Sequence, residues 1–275
     1  MTALLTDAVR RRLRDAGCIA ETSDIYDSAG ARFYDELVGP DRSEIREVLA
    51  VARRSGPAVL DLAAGSGRIS IPLLRIGKSV TALDLSSPML QLLRDALPRG
   101  SACEFVVADM RAFDLGREFD LAVLAATSIT LLDRDDRLRL FGAVRRHLAP
   151  TGALLLSVPG PTVQTVLRTS AERTISVGSG DTAAVYLQSQ QVDATGSHRI
   201  VNWMPLPLPA ASHAVPVLTT SLYLLDAETV AKELQQAGFL APEVLPVRTA
   251  DGDGGADENM LLLHSRVDGG DSRVA

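Results

Sequence analysis

Cysteine is nearly absent from this sequence. Cys18 and Cys103 are the only two in 275 residues, and they make neither a disulfide framework nor a metal-ligand spacing. That usage fits a reducing cytoplasm. Positive charge is also short: 28 Lys and Arg against 34 Asp and Glu leave a net charge of -6, which argues against nucleic acid as a main partner. The arginines that do cluster, Arg10-Arg11-Arg12 and Arg145-Arg146, fall in helical patterns and read as solvated faces. No apolar run reaches the ~18 residues a membrane span needs, and Met1 to Asp15 holds no apolar core ahead of a cleavage site. The expectation is a soluble cytoplasmic protein without a membrane partner. No His, Cys or carboxylate cluster has ligand spacing, so no metal is expected. Asp251 to Glu258 is acidic and Gly-rich but lacks the spacing and terminal ligand of a calcium loop, and reads as a solvated hairpin tip. No internal repeat is visible.

What is present is an alternation of short apolar runs and amphipathic stretches. Ala58 to Leu62 is a buried-strand pattern that breaks into Ala63-Ala64-Gly65-Ser66-Gly67-Arg68, after which Ile69, Ile71, Leu73 and Leu74 continue as a helix. A strand, a tight Gly loop and a helix N-terminus form the usual site for an adenosine-type cofactor in an α/β sheet. Further strands are expected at Ser79 to Leu85, Glu104 to Ala108, Phe119 to Leu124 and Ala153 to Val158. Helices fall between them, one capped by Ser87 with Pro88 next, and one with Asp133 and Asp136 at its N-terminus. This alternation predicts an α/β fold with a doubly wound, mostly parallel sheet.

The flanks differ in character. Residues 1–55 read as an N-terminal helical cap, with Tyr26, Tyr34 and Asp27 placed where a lid over the cofactor could lie. Residues 160–225 read as an antiparallel, substrate-covering β insertion within a single domain of residues 1–275. Asp226 then caps a helix that stops at Gly238, Met260 to His264 is a last strand, and residues after Val267 look frayed.

Residues on either side of the loop decide the cofactor. A nicotinamide fingerprint wants G-x-G-x-x-G, but Ser70 stands at the third Gly position and Asp61 sits inside the first strand. Asp61, the small residues Ala63, Gly65 and Gly67, Asp84 at the end of the second strand and Asp109 after the third together resemble the class I S-adenosylmethionine-dependent methyltransferases. That resemblance implies a Rossmann-like seven-stranded sheet and S-adenosyl-L-methionine as cofactor. Asp84, beside Leu85, can accept both ribose hydroxyls, because a carboxylate offers two oxygens to a cis-diol. Asp109 would accept from the adenine amino group, Met110 would pack on the ring, and Asp61 would buttress the loop. Tyr26-Asp27, Phe33-Tyr34-Asp35 and the loop also resemble actinobacterial natural-product N-methyltransferases, of daptide-type ribosomal peptide biosynthesis and of glycopeptide antibiotics. The resemblance implies contacts from Tyr26 and Tyr34 near the methionine end, and an N,N-dimethylated C-terminal amine of a ribosomal peptide as product.

Methyl transfer is an in-line displacement that can rest on positioning, although an amine must lose its proton before it attacks. The acceptor would face the methyl at Ala125-Ala126-Thr127-Ser128, where Ala125 and Ser128 would border the cofactor. The N-P-P-Y residues of DNA and amide N-methyltransferases are missing there, which favours an aliphatic amine or a hydroxyl. His198 and His213, in the insertion, are the candidate catalytic residues, and Trp203 and Tyr223 are candidates for the same pocket. His147 and His264 read as structural. The partner is expected to be a peptide or small-molecule amine, with the protein a monomer or homodimer. O-methylation of a small metabolite, a cofactor-binding module without turnover, and a nicotinamide enzyme stay open as alternatives.

Overall fold

The fold is described from a computed structural model, which covers residues 4–39, 41–180, 183–247 and 259–268. The expected hairpin tip at 252–258 and the frayed residues from 269 onward lie outside the described residues. The chain divides into two compact units, residues 1–41 with 165–224 and residues 42–164 with 225–275.

In the second unit the apolar runs become a seven-stranded sheet. Its strands are β2 (Ala58–Leu62), β3 (Ser79–Asp84), β4 (Cys103–Val107), β5 (Phe119–Leu124), β6 (Leu148–Pro159), β11 (Glu243–Pro246) and β12 (Met260–Arg266). They lie in the order β11-β12-β6-β5-β2-β3-β4, with β12 antiparallel to both its neighbours and every other pair parallel. The central strands are apolar without alternation because both faces are covered. On one face Val48 and Ala52 of α3 (Ile45–Arg54) and Leu73 of α4 (Ser70–Arg75) pack on Val59, Val80 and Leu121. On that same face, since Ala82 lies two residues from Val80 along β3, Leu90 and Leu93 of α5 (Ser87–Ala96) pack on Ala82 and on Ala64. Two more helices, α6 (Arg134–Arg146) and α8 (Ala227–Gln236), are joined by a buried ion pair in which Arg137 donates to Glu233 at 2.6 and 2.7 Å. Strand order reverses at β2, since β3 and β4 lie to one side and β5 and β6 to the other. The crevice of a doubly wound sheet opens at the carboxyl ends of the strands at such a point.

The first unit is built on a five-stranded sheet, β1-β10-β9-β8-β7. It contains α1 (Asp7–Asp15), β1 (Ile19–Asp24), α2 (Ala31–Val38), β7 (Ala171–Val177), β8 (Ala184–Val192), β9 (His198–Leu206) and β10 (Ala214–Tyr223). A short helix, α7 (Pro161–Leu167), precedes β7. Val9 and Leu13 of α1 pack on Leu187, Met204, Val215 and Val217. Thr6 fastens the start of α1, its N–H donating to Asn202 Oδ1 at 2.7 Å and its hydroxyl sharing a hydrogen bond with Ser189 at 2.8 Å.

Two expectations change. The segment 1–55 is not purely helical: β1 pairs in parallel with β10, and the segment divides between the units after residue 41. Its strand is polar and exposed at four of six positions, held by backbone pairing, so it leaves no apolar periodicity to read. The insertion at 160–225 is antiparallel through β7, β8, β9 and β10, as its pattern predicts, and the parallel strand β1 joins β10 from outside it. The cap of α5 is Ser86, which accepts from Met89 N–H, and Ser87 is the first helical residue.

Candidate active site

The turn after β2 curls back on the end of β3. Ala63, Gly65 and Gly67 all have positive φ, at 52°, 56° and 95°. A Cβ on Gly67 would stand 2.2 Å from Leu93 Cδ1, so close packing on α5 adds to the conformational need for glycine there. A Cβ on Gly65 would meet only Met89 Cε, at 3.3 Å. The register that sets Leu62 beside Leu83 brings the loop to Asp84. Gly65 N–H donates to Asp84 Oδ2 at 2.8 Å, and Ser86 N–H donates to Oδ1 at 2.7 Å. Burial raises the Asp84 carboxyl above its ordinary value, against the pull of those N–H groups. Beneath the loop Asp61 is 1% exposed and accepts from Ser70 Oγ at 2.5 Å. Burial pushes its pKa up to about 7, with Ser70 and Arg68 opposing.

The other wall is the end of β5. Ala126 and Thr127 both adopt left-handed backbone, φ 56° and 54°, before a 3-10 turn at Ser128–Leu131. Two such non-glycine residues cost on the order of 1–3 kcal/mol each and persist only where the surroundings hold them. Here Ala126 N–H donates to Glu44 Oε1 at 2.8 Å, Thr127 N–H to Ser157 Oγ at 2.8 Å, and Ser128 N–H to Ala125 O at 3.1 Å. Glu44 is 1% exposed, itself left-handed at φ 59°, and ion-paired with Arg68. It therefore ties the Gly loop to the β5 exit. No motif marks it in the sequence, where it is one Glu at the head of a helical pattern.

A pattern described as a methyltransferase domain matches residues 59–152, from β2 into β6. The cypemycin N-terminal methyltransferase of a Streptomyces species is 29% identical over 50% of this chain and 57% of its own. The glycopeptide N-methyltransferase MtfA, solved with sinefungin, is 30% identical with a TM-score of 0.57, over 82% of this chain and 93% of that one. The chain belongs to the class I S-adenosylmethionine-dependent methyltransferases. MtfA has also been solved with S-adenosyl-L-methionine, at 27% identity and a TM-score of 0.62, over 95% of this chain and 98% of that one. The CcbJ methyltransferase of Streptomyces caelestis shares the fold, with a TM-score of 0.71 at 23% identity over 89% of this chain and 98% of that one. The chain spans only about half the length of the first curated relatives it matches, 53% and 57%.

S-adenosyl-L-methionine is the cofactor of this family, and the methyltransferase's residues fit it. The Asp84 oxygens accept from Gly65 and Ser86 N–H, with Leu85 N–H adding to the pull, and a carboxylate's roughly four lone-pair sites leave capacity for a ribose hydroxyl. Leu85, next to it, is 70% exposed and offers apolar surface. Asp109 is more committed than the sequence suggests. Arg111 grips it through Nε at 2.9 Å and Nη2 at 2.5 Å, holds its carboxyl below the usual value, and reaches Asp136 at 2.6 Å. Met110 beside it is half-buried, and Ala125 is buried at the end of β5.

The remaining candidates of the methyltransferase lie in the first unit. Tyr26 and Tyr34 meet edge to face, with ring centroids 4.9 Å apart, and burial raises the Tyr26 hydroxyl well above its ordinary value. His198 packs on Tyr223 with the rings tilted at 51° and centroids 3.9 Å apart, and shares a hydrogen bond with Ser197 Oγ at 2.9 Å. His213 is exposed, its Nδ1 2.9 Å from Ala210 O. The two histidines flank opposite ends of the ten-residue β10, roughly 30 Å apart, so they form no common site. Trp203 is buried against Phe33, away from the His198–Tyr223 pair, so the single pocket expected for these side chains is not formed. His147 is 4% exposed, bonded to Ala143 O and to Leu115 N–H. Among the described residues no group of three or more His, Cys, Asp or Glu could hold a metal ion, and no helix is long and apolar enough to cross a membrane.

Proposed function

We propose that this methyltransferase moves methyl groups from S-adenosyl-L-methionine to an amine nitrogen of a ribosomal peptide, giving an N,N-dimethylated C-terminal amine. The observation that carries the methyl-transfer reading is the Asp84 carboxylate, pinned by backbone N–H groups of Gly65 and Ser86 at the end of β3 with acceptor capacity left over. Nitrogen as the acceptor atom is supported by the likeness to a cypemycin N-terminal methyltransferase and to a glycopeptide N-methyltransferase. A glycopeptide amine is the second reading, favoured by the near-complete overlap with MtfA.

The cofactor supplies an electrophilic methyl on a sulfonium. The protein's part is placement. Asp84 and the Gly loop fix the nucleoside end, and the Glu44 and Ser157 bonds fix the turn at Ala126–Thr127 where the acceptor would stand. That turn, Ala125-Ala126-Thr127-Ser128, carries no titratable side chain, so the site would take the amine already neutral.

Purified protein, S-adenosyl-L-methionine and short peptides bearing a terminal amine test this by mass spectrometry. The expected product gains two methylene masses on the amine and none on an acetylated control. The pH profile separates two routes. Selection of the neutral amine makes kcat/KM rise until the acceptor's own ammonium has lost its proton, toward the ~10 of an alkylammonium, whereas a histidine base would level it near 6.5 and would make His198→Ala or His213→Ala inactive. Methylation of hydroxyls only would overturn the amine reading.

A further inference from the structure

Among the described residues, buried arginines come with carboxylates. Arg68 has Glu44 and Arg137 has Glu233. Arg199 is the exception. It is half-buried on β9, where the Gln190 amide oxygen accepts from Nη1 at 2.6 Å and Tyr26 is its electrostatic neighbour. No carboxylate of the described residues stands within ion-pair distance. Burial lowers its pKa to about 10. A guanidinium has five donors, and taking it out of water without an anion is costly.

Its surroundings have a pattern. Arg199, Val201 and Trp203 alternate along β9 and so share one sheet face. Gln190 is paired in register with Val201, and Gln188 with Trp203, which puts both glutamines on that face, about 7 Å apart along β8. Gln188 accepts from Arg173 Nε at 2.5 Å, and Arg173 likewise has no carboxylate partner among the described residues. Gln190 is immobilised, since its amide nitrogen donates to Val166 O, Leu167 O and Thr169 O at 3.1, 2.9 and 2.8 Å. Two guanidiniums are thus bonded to neighbouring glutamines, at the margin of an aromatic cluster that includes Tyr26, Tyr34, Tyr186 and Trp203.

We propose that Arg199, with Arg173, forms an acceptor subsite that takes a carboxylate of the substrate, carried beside an apolar or aromatic group. The site would read acidity in the peptide at a position other than the methylated amine. It deepens the methyl-acceptor reading and rests on it, although the subsite can be tested without turnover.

Trp203 is the chain's only tryptophan and lies on this face, so its fluorescence reports binding there. Titration with N-acetylphenylalaninate should give a saturable change at least about tenfold tighter than with N-acetylphenylalanine amide, as expected for one charge-assisted contact. Arg199→Gln should erase the preference, and Arg173→Gln, on an exposed strand, should weaken it without disturbing the fold. Equal response to acid and amide in the wild type would overturn the proposal, as would a preference that survives Arg199→Gln. Displacement by inorganic phosphate at the same concentration as by the carboxylate would overturn it too. S-adenosylhomocysteine affinity is measured alongside: its absence in the wild type would defeat the methyltransferase reading, while its retention in Arg199→Gln isolates the subsite.

Discussion

Asp84→Asn isolates the contact on which cofactor binding turns. In the wild type the two carboxylate oxygens hold Gly65 N–H and Ser86 N–H and keep acceptor capacity for the ribose diol. Asparagine keeps one oxygen and replaces the other with an NH2, which faces a backbone donor and cannot accept from a hydroxyl. The variant therefore loses one diol contact outright and the charge that strengthens the other. Hydrogen bonds to a charged group contribute roughly 1.5–3 kcal/mol each. A loss near 3 kcal/mol weakens binding on the order of a hundredfold. The unmet backbone N–H is partly solvent-accessible, so the fold should lose only about 1–2 kcal/mol. Calorimetric titration with S-adenosylhomocysteine reads the first quantity and urea unfolding the second. An affinity within about threefold of wild type, less than 1 kcal/mol, in a folded variant would refute the diol assignment. Cofactor affinity should also depend on pH. Because burial raises the Asp84 carboxyl, protonation removes an acceptor, and wild-type affinity should fall as pH falls while that of the asparagine variant stays flat.

Other perturbations probe the same geometry. Gly67→Ala sets a Cβ 2.2 Å from Leu93 Cδ1 on a backbone at φ 95°, and should cost roughly 2–4 kcal/mol in urea unfolding; an unchanged midpoint would show that α5 yields freely. Asp61 has its pKa raised from 3.8 to about 7, so the folded state holds its proton where the unfolded chain has lost it. Its contribution is greatest below about pH 4 and is lost as pH rises to about 7, by up to roughly 4 kcal/mol; Asp61→Asn should remove that decline, and parallel stability curves for the two proteins would contradict the shift. Glu44→Ala leaves Arg68 buried without its anion and Ala126 N–H without an acceptor, a loss of about 3–5 kcal/mol, whereas Glu44→Gln keeps the Ala126 bond and should cost less. Equal losses in the two variants would assign the whole effect to the ion pair.

How much of this was legible in the sequence depends on what holds each element. The bounds Ala58–Leu62 and Phe119–Leu124 stand in the structure as read, because a strand covered on both faces must be an unbroken apolar run ended by a turn. The strands β1 and β11 were not legible. Ile19–Asp24 is mostly exposed and is held to β10 chiefly by backbone pairing, and Glu243–Pro246 is a four-residue edge. Backbone pairing of polar edges carries no side-chain signature, so nothing in 19–24 marks a strand. The Ser86 and Ser87 pair shows the same limit at finer scale, since either serine can cap and only the dihedral angles decide.

The site divides along a similar line. Asp84 and the Gly loop could be paired from sequence because parallel register converts an acid at one strand's end and a turn at its neighbour's into a contact. Glu44 could not, because its partners, Arg68 and Ala126, lie 24 and 82 residues away and meet it only through packing. Asp109 lies between these cases: its position after β4 was legible, but the grip of Arg111, two residues on, was not. A carboxylate already bonded to a guanidinium has less capacity for an adenine amino group. Freeing it by Arg111→Ala should therefore not weaken cofactor binding if Asp109 contacts adenine directly. If Arg111 instead orients that contact, affinity should drop while binding of adenosine analogues lacking the exocyclic amine is unchanged. The acid's place in the motif is thus compatible with two different arrangements of the same loop, and the double comparison of variant and analogue decides between them.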